Sequence, residues 1–150
     1  MWLDALLAYL HFTAVFVLFA FLTVEVVLVR TAIDAKAIRD LARTDLWYFG
    51  AAIAVLASGA LRLLWGAKGP AYYFGDWTFY AKVALFFAVA AMSIAPTLAF
   101  SRWRRQLDRD PGWQVPDAER RRIRGYLMIE IHLAAMIPVF AVVTARALAR

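Results

Sequence analysis

The sequence predicts an all-α fold: an integral membrane up-and-down four-helix bundle, one domain over residues 1–150. Three observations carry that expectation. Four runs, about 2–29, 45–65, 77–100 and 122–148, reach the roughly 20 apolar residues that a helix needs to cross a hydrocarbon core. Hydrophobic residues make up 64% of the chain and charged ones only 19%, too little polar surface for a water-soluble domain of this length. The basic residues gather in two connections, the distribution expected when those connections stay inside the cell.

The first span, WLDALLAYLHFTAVFVLFAFLTVEVVLVR, carries Asp4, His11 and Glu25. Seven residues is close to two helical turns, so positions 4, 11, 18 and 25 form one stripe that drifts only about 20° per heptad. An ionisable side chain facing lipid is expensive, so the stripe is expected to face other helices or a wet cavity. The run lacks a basic leading region and is too long for the apolar part of a cleaved signal, so it is read as a retained membrane helix. After it, TAIDAKAIRDLAR sets Ile33, Ala37, Ile38 and Leu41 on one side and Lys36, Arg39, Asp40 and Arg43 largely on others. That pattern predicts a short amphipathic surface helix between spans one and two.

The second span is rich in small residues, among them Gly50, Ala54, Ser58 and Gly59, which let helix backbones approach closely. In the following loop, Trp65, Tyr72, Tyr73 and Trp77 suit an interfacial belt. Span three carries Pro96 near its end, and the turn-rich RDPGWQVPDAERRR leads to span four with Asp117 as the expected N-cap. Residues 30–44 hold Arg30, Lys36, Arg39 and Arg43, and residues 101–124 hold eight arginines. The loop at 66–76 holds only Lys68, and the C-terminus adds Arg146 and Arg150. The two heavily basic connections are therefore expected in the cytoplasm, with both termini outside. The net charge of +6 reflects this clustering, and nucleic-acid binding is not expected.

Counting about 1.5 Å of rise per residue from the middle of each span sorts the intramembrane polar groups into two layers. His11, Arg62 and Lys82 fall in the outer half; Glu25, Glu130 and His132 fall in the inner half, with Ser58, Ser93 and Thr97 between or near them. Two cations and a histidine at one depth attract an anion: a quinone oxygen, a haem propionate, a lipid phosphate or Asp4 itself. Either cation taken alone is more simply a side chain snorkelling to the headgroups. Glu25 pairs as readily with Arg30 as with a functional partner. Glu130 and His132 differ by about 200° around one helix, so they make a poor joint chelate. With no cysteine in the chain, thiolate ligation is excluded and imidazole is the natural haem ligand. His11 and His132 differ in height by about 13 Å on the helical rise, which disfavours one upright haem bridged by both. Met92, Met128 and Met136 are read as packing residues. No nucleotide loop, zincin motif or serine-hydrolase constellation is present.

Across nearly its whole length the chain resembles a bacterial family of four-helix membrane proteins of unknown function, on AYLHF in span one, WTFYAKVALFF and SIAPTLAFSRWRR in span three, and RRIRGYLMIEIHL opening span four. It also shows a distant similarity to HemJ-type protoporphyrinogen oxidases and CopD-type copper-resistance membrane domains. The matching positions are His11, Trp77 with Lys82, and Arg124 with Glu130. That resemblance implies haem b on His11 and candidate catalytic roles for Lys82 and Glu130. The chain departs from the pattern on both sides of Glu130 and after His11, so no substrate is carried over.

Three functions are weighed. The first is an inner-membrane haem-binding or redox protein, a candidate membrane oxidoreductase, with His11 as axial ligand and Arg62 and Lys82 positioning an anionic group of haem or quinone. The second is a transport or metal- and proton-handling bundle using Glu25, Glu130 and His132, with His11, His132 and Glu25 as candidate metal ligands and a homo-oligomer as its expected state. The third is a non-catalytic assembly partner packing through the small-residue face of span two.

Overall fold

The computed structural model describes residues 2–30, 33–66, 74–75 and 77–147, with side chains as far as 143. Four long helices account for nearly all of them: α1 (Trp2–Arg30), α2 (Ala35–Trp65), α3 (Trp77–Arg109) and α4 (Asp117–Ala147). All four are long and apolar enough to cross a membrane. Each packs on its neighbours in sequence, and α4 closes the ring against α1, while the diagonal pairs α1/α3 and α2/α4 make no close backbone approach. This is the predicted up-and-down bundle.

Cross-links fix the antiparallel register. His11 near the start of α1 meets Ser58 late in α2, Asp45 early in α2 meets Thr97 in α3, and Trp103 late in α3 meets Glu119 at the start of α4. The expected stripe on α1 faces inward: Leu18 and Glu25 are buried and His11 and Asp4 are partly buried. The opposite surfaces expose large apolar side chains such as Phe16, Phe49, Phe87 and Val139. On a protein in water such a belt would drive association; around a bundle of this length it is the surface that lipid tails cover.

One expected element is corrected. The amphipathic stretch is not a separate surface helix, because α2 runs without a break from Ala35 through Asp45 into the second span. No glycine or proline occurs between residues 35 and 49 to interrupt it. Its start is set by Asp34, whose extended backbone (φ −85°, ψ 175°) lets the carboxylate accept from the Ala37 N–H at 2.7 Å. The expected apolar face is present, but it packs inward: Ile38 and Leu41 join Val29, Phe100 and Trp103 in the core. Thr31 and Ala32, the first residues of that stretch, lie outside the described residues.

The helices also outrun the expected spans at this basic end. α3 continues to Arg109 and α4 already begins at Asp117. Buried Trp103, Leu107 and Ile123 extend the core there, and the Trp103 indole N–H donates to Glu119 at 2.8 Å. Glu119 also accepts from Arg102. Asp117 is the first helical residue rather than the N-cap: the Pro116 carbonyl accepts from the Arg120 N–H at 3.0 Å, and the Asp117 carboxylate accepts from the Arg120 guanidinium. Arg120 also reaches the Val29 and Arg30 carbonyls at 3.5 Å, placing a cation on the C-terminus of α1, where the helix dipole favours it. At the other end Trp65 and Trp77 are exposed, as an interfacial belt requires. Lys68, Tyr72, Tyr73 and Arg150 lie outside the described residues, as does the Arg146 side chain.

Candidate functional site: a buried carboxylate cluster

Every helix of the ring contributes a polar side chain to one level of the interior, in the half nearer the basic end. α1 supplies Glu25, α2 supplies Asp45 and Tyr48, α3 supplies Thr97 and α4 supplies Glu130. Glu25 is 1% exposed, Asp45 6% and Glu130 0%. The Tyr48 hydroxyl donates to Glu130 Oε1 at 2.6 Å. Because α2 and α4 stand on the diagonal, that bond crosses the middle of the bundle, and a side chain as long as tyrosine is what makes the reach possible. Thr97 Oγ1 donates to Asp45 Oδ1 at 2.7 Å across the α2/α3 interface. It follows Pro96, whose ring nitrogen cannot donate to the carbonyl one turn back, so the α3 backbone is already locally relaxed at this level.

The electrostatics are one-sided. Asp45 and Glu130 both act on Glu25, and Asp45 acts on Glu130. No lysine or arginine among the described residues pairs with any of the three. Glu25 Oε1 and Glu130 Oε2 are buried with no hydrogen-bond partner. Three carboxylates packed this closely in a core lined by hydrocarbon cannot all be ionised without balancing charge, because desolvation and mutual repulsion both oppose it.

A second polar level lies toward the other end. His11 Nδ1 sits 3.0 Å from Ser58 Oγ, and Ser58 donates to the Ala54 carbonyl at 2.6 Å. A serine hydroxyl has one proton, and with that proton on the Ala54 carbonyl the oxygen is free to accept from an Nδ1–H of His11, the tautomer that would keep a lone pair on Nε2. Gly59 lies beside the ring, where a Cβ would stand 3.4 Å from His11 Cε1, an ordinary van der Waals contact. The Arg62 guanidinium lies over the Phe12 ring, 5.5 Å from its centroid, and its Nε is buried without a partner. The charges of Arg62 and Lys82 both act on His11. Between the two levels all four helices contribute buried apolar residues, among them Leu18 and Leu22, Ala51 and Val55, Val89, and Ala134.

The structure thus joins some of the residues singled out from sequence and separates others. His11, Arg62 and Lys82 share the level toward the far end, and Glu25 and Glu130 share the carboxylate level. His132 does not join them: it is exposed, and its Nδ1 is bound to the Met128 carbonyl of its own helix. The expected Glu25/Glu130/His132 relay is corrected accordingly, and the reason is the roughly 200° that separates Glu130 from His132 around α4. Lys82 and Glu130 fall at opposite levels, so they do not form one site. His11, His132 and Glu25 are likewise apart, and among the described residues no group of three or more His, Asp or Glu is placed to hold a metal ion.

Sequence reasoning misses Asp45 and Tyr48, along with the role of Thr97. Asp45 falls on the boundary between the amphipathic stretch and the second span and so looks like a surface charge, while Tyr48 looks like an interfacial aromatic. Their i, i+3 spacing on a helix is the one signal that could have joined them.

Neither a curated protein nor a solved structure matches the chain, so the similarity to HemJ-type and CopD-type proteins rests on the quoted residues alone. Residues 3–149 match a family model described as "Predicted membrane protein (DUF2214)".

Proposed function

The chain belongs to the DUF2214 family of predicted membrane proteins, and from that premise we propose that it is a proton-handling membrane protein whose working site is Glu25, Asp45, Tyr48 and Glu130. The observation that carries this reading is the pair of buried carboxylate oxygens without a partner, Glu25 Oε1 and Glu130 Oε2. A buried acceptor left unsatisfied costs about 1–3 kcal/mol, and more when charged, so a bundle kept only for packing would be more stable with it replaced. Bound protons remove both the repulsion and the deficit. Each proton bound gives a carboxylate a donor and neutralises one charge, and Tyr48 holds Glu130 at the bundle axis. Four spans are few for a transporter acting alone, so the lipid-facing belt is read as also serving a homo-oligomer. By the distribution of arginine the basic end faces the cytoplasm of a bacterial inner membrane.

Reconstituted into vesicles, the protein is expected to pass protons down an imposed gradient, and E25Q and E130Q are each expected to abolish that flux. Flux unchanged in both variants would remove the reading.

A second reading, a haem-binding oxidoreductase, is supported by the contact of His11 Nδ1 with Ser58. A ring held there through an Nδ1–H would be oriented and would leave Nε2 as a ligand, the arrangement common to axial histidines. Haem would supply the electron chemistry, with His11 holding the iron and Arg62 meeting a propionate. A dithionite-reduced spectrum of protein expressed with ample haem is expected to show a band that H11A loses and H132A retains; no band in the wild type would sink this reading.

A further inference from the structure

Asp45 belongs to two places at once. Inside the bundle its carboxylate accepts from Thr97 and acts on Glu25 and Glu130. On its other side it lines a groove of about 400 Å³ between α2 and α3 at the basic end, together with Ser101, Arg104, Arg105 and Asp108. No other carboxylate of the cluster lines this groove. We infer that this groove is the mouth through which protons from water reach Glu25 and Glu130, with Asp45 as the relay between them.

The opposite approach is closed. Leu18, Val55, Val89 and Ala134 fill the level between the cluster and His11, so in this conformation the cluster opens toward the basic end. The charges of the mouth nearly cancel: Arg104 and Arg105 stand against Asp108 and, when it is ionised, Asp45, so the groove sets no net positive barrier against an arriving proton. The groups facing Asp45 are Glu25 from α1, Tyr48 on its own helix, Thr97, Arg104, Arg105 and Asp108 from α3, and Glu130 from α4. In the exchange step ionised Asp45 takes a proton from hydronium in the groove, releasing neutral water. The protonated Asp45 then passes a proton to ionised Glu25 or Glu130 and regains the negative charge that the acceptor loses.

This inference rests on the proton-binding reading of the cluster but not on passage across the membrane. The test is hydrogen–deuterium exchange of the cluster's protonated-carboxyl infrared band in detergent-solubilised full-length protein, the band being assigned by its loss in E25Q and E130Q. Asp45→Asn keeps an oxygen for Thr97 and removes the proton carrier, and is expected to slow exchange severalfold. The chain has no cysteine, so Ser101→Cys in the exposed wall of the groove can be blocked with a bulky thiol reagent. Exchange in that variant is expected to match wild type before labelling and to slow severalfold after it, whereas labelled Leu98→Cys, on an exposed face of α3, keeps the wild-type rate. The inference is overturned if neither D45N nor labelled S101C slows exchange, or if labelled L98C slows it as much. A wild-type spectrum without a band that E25Q and E130Q diminish overturns the proton-binding reading itself. Absent vesicle flux with exchange still routed through Asp45 removes only passage across the membrane.

Discussion

Tyr48 shows how much one side chain can decide. It is 4% exposed, and its hydroxyl reaches across the bundle to Glu130, whose second oxygen already lacks a partner. Tyr48→Phe strips the remaining bond and leaves both oxygens of Glu130 unsatisfied in a dry core. The expected loss is about 1–3 kcal/mol of stability, read as a lower melting temperature in detergent. Glu130→Gln keeps an oxygen to accept from Tyr48, adds donors for the orphaned position and removes a repelling charge. It is therefore expected to melt no lower than wild type while losing function, a split that a merely structural carboxylate would not produce. Of these residues, Glu25 and Glu130 are legible in the sequence as costly intramembrane acids. Asp45 and Tyr48 are not, because both sit where a water-facing segment is expected to begin, and side chains at such a boundary have an ordinary interfacial explanation.

At the scale of the element, α2 carries the most consequence. Had residues 35–43 formed a separate surface helix, Asp45 would stand at a helix start beside the headgroups and no groove would run along α2 and α3. Continuity places it inside. Asp34 caps the first turn, a contribution of about 1 kcal/mol, and the Lys36–Asp40 pair one turn on is exposed and adds little. Burial of Ile38 and Leu41 against Phe100 and Trp103 contributes more; two such side chains stabilise by about 1.5–3 kcal/mol each relative to water. The amphipathic pattern identifies the correct face, yet a periodicity of 3.6 gives only the direction of an apolar face, and both a membrane surface and a neighbouring helix can cover it.

For the whole molecule, the ring of four antiparallel helices sets two polar levels apart with a layer of buried apolar side chains between them. All four helices contribute to that layer, so it can open only if helices move relative to one another, and the basic end is tied. Arg120 bridges α4 to the end of α1, and Glu119 joins α4 to Arg102 and Trp103 of α3. Motion that opens the apolar layer is thus expected to pivot about that end. Orientation belongs at this scale as well: a reporter active only outside the cytoplasm, fused after Arg150, is expected to be active, and an inactive reporter with a well-inserted protein would reverse the assignment of sides.

The sequence by itself determined the four helices, their up-and-down order and the inward stripe on α1, because span length and the cost of exposing charge to lipid are properties of single segments. It also separated His11 from Glu25, since both lie on one helix whose rise is fixed. Only the tertiary structure decided that Asp45, Tyr48 and Thr97 complete the inner cluster and that His132 leaves it. Those memberships depend on the rotation of α2, α3 and α4 about their own axes, and that rotation is set by packing between helices far apart in the chain.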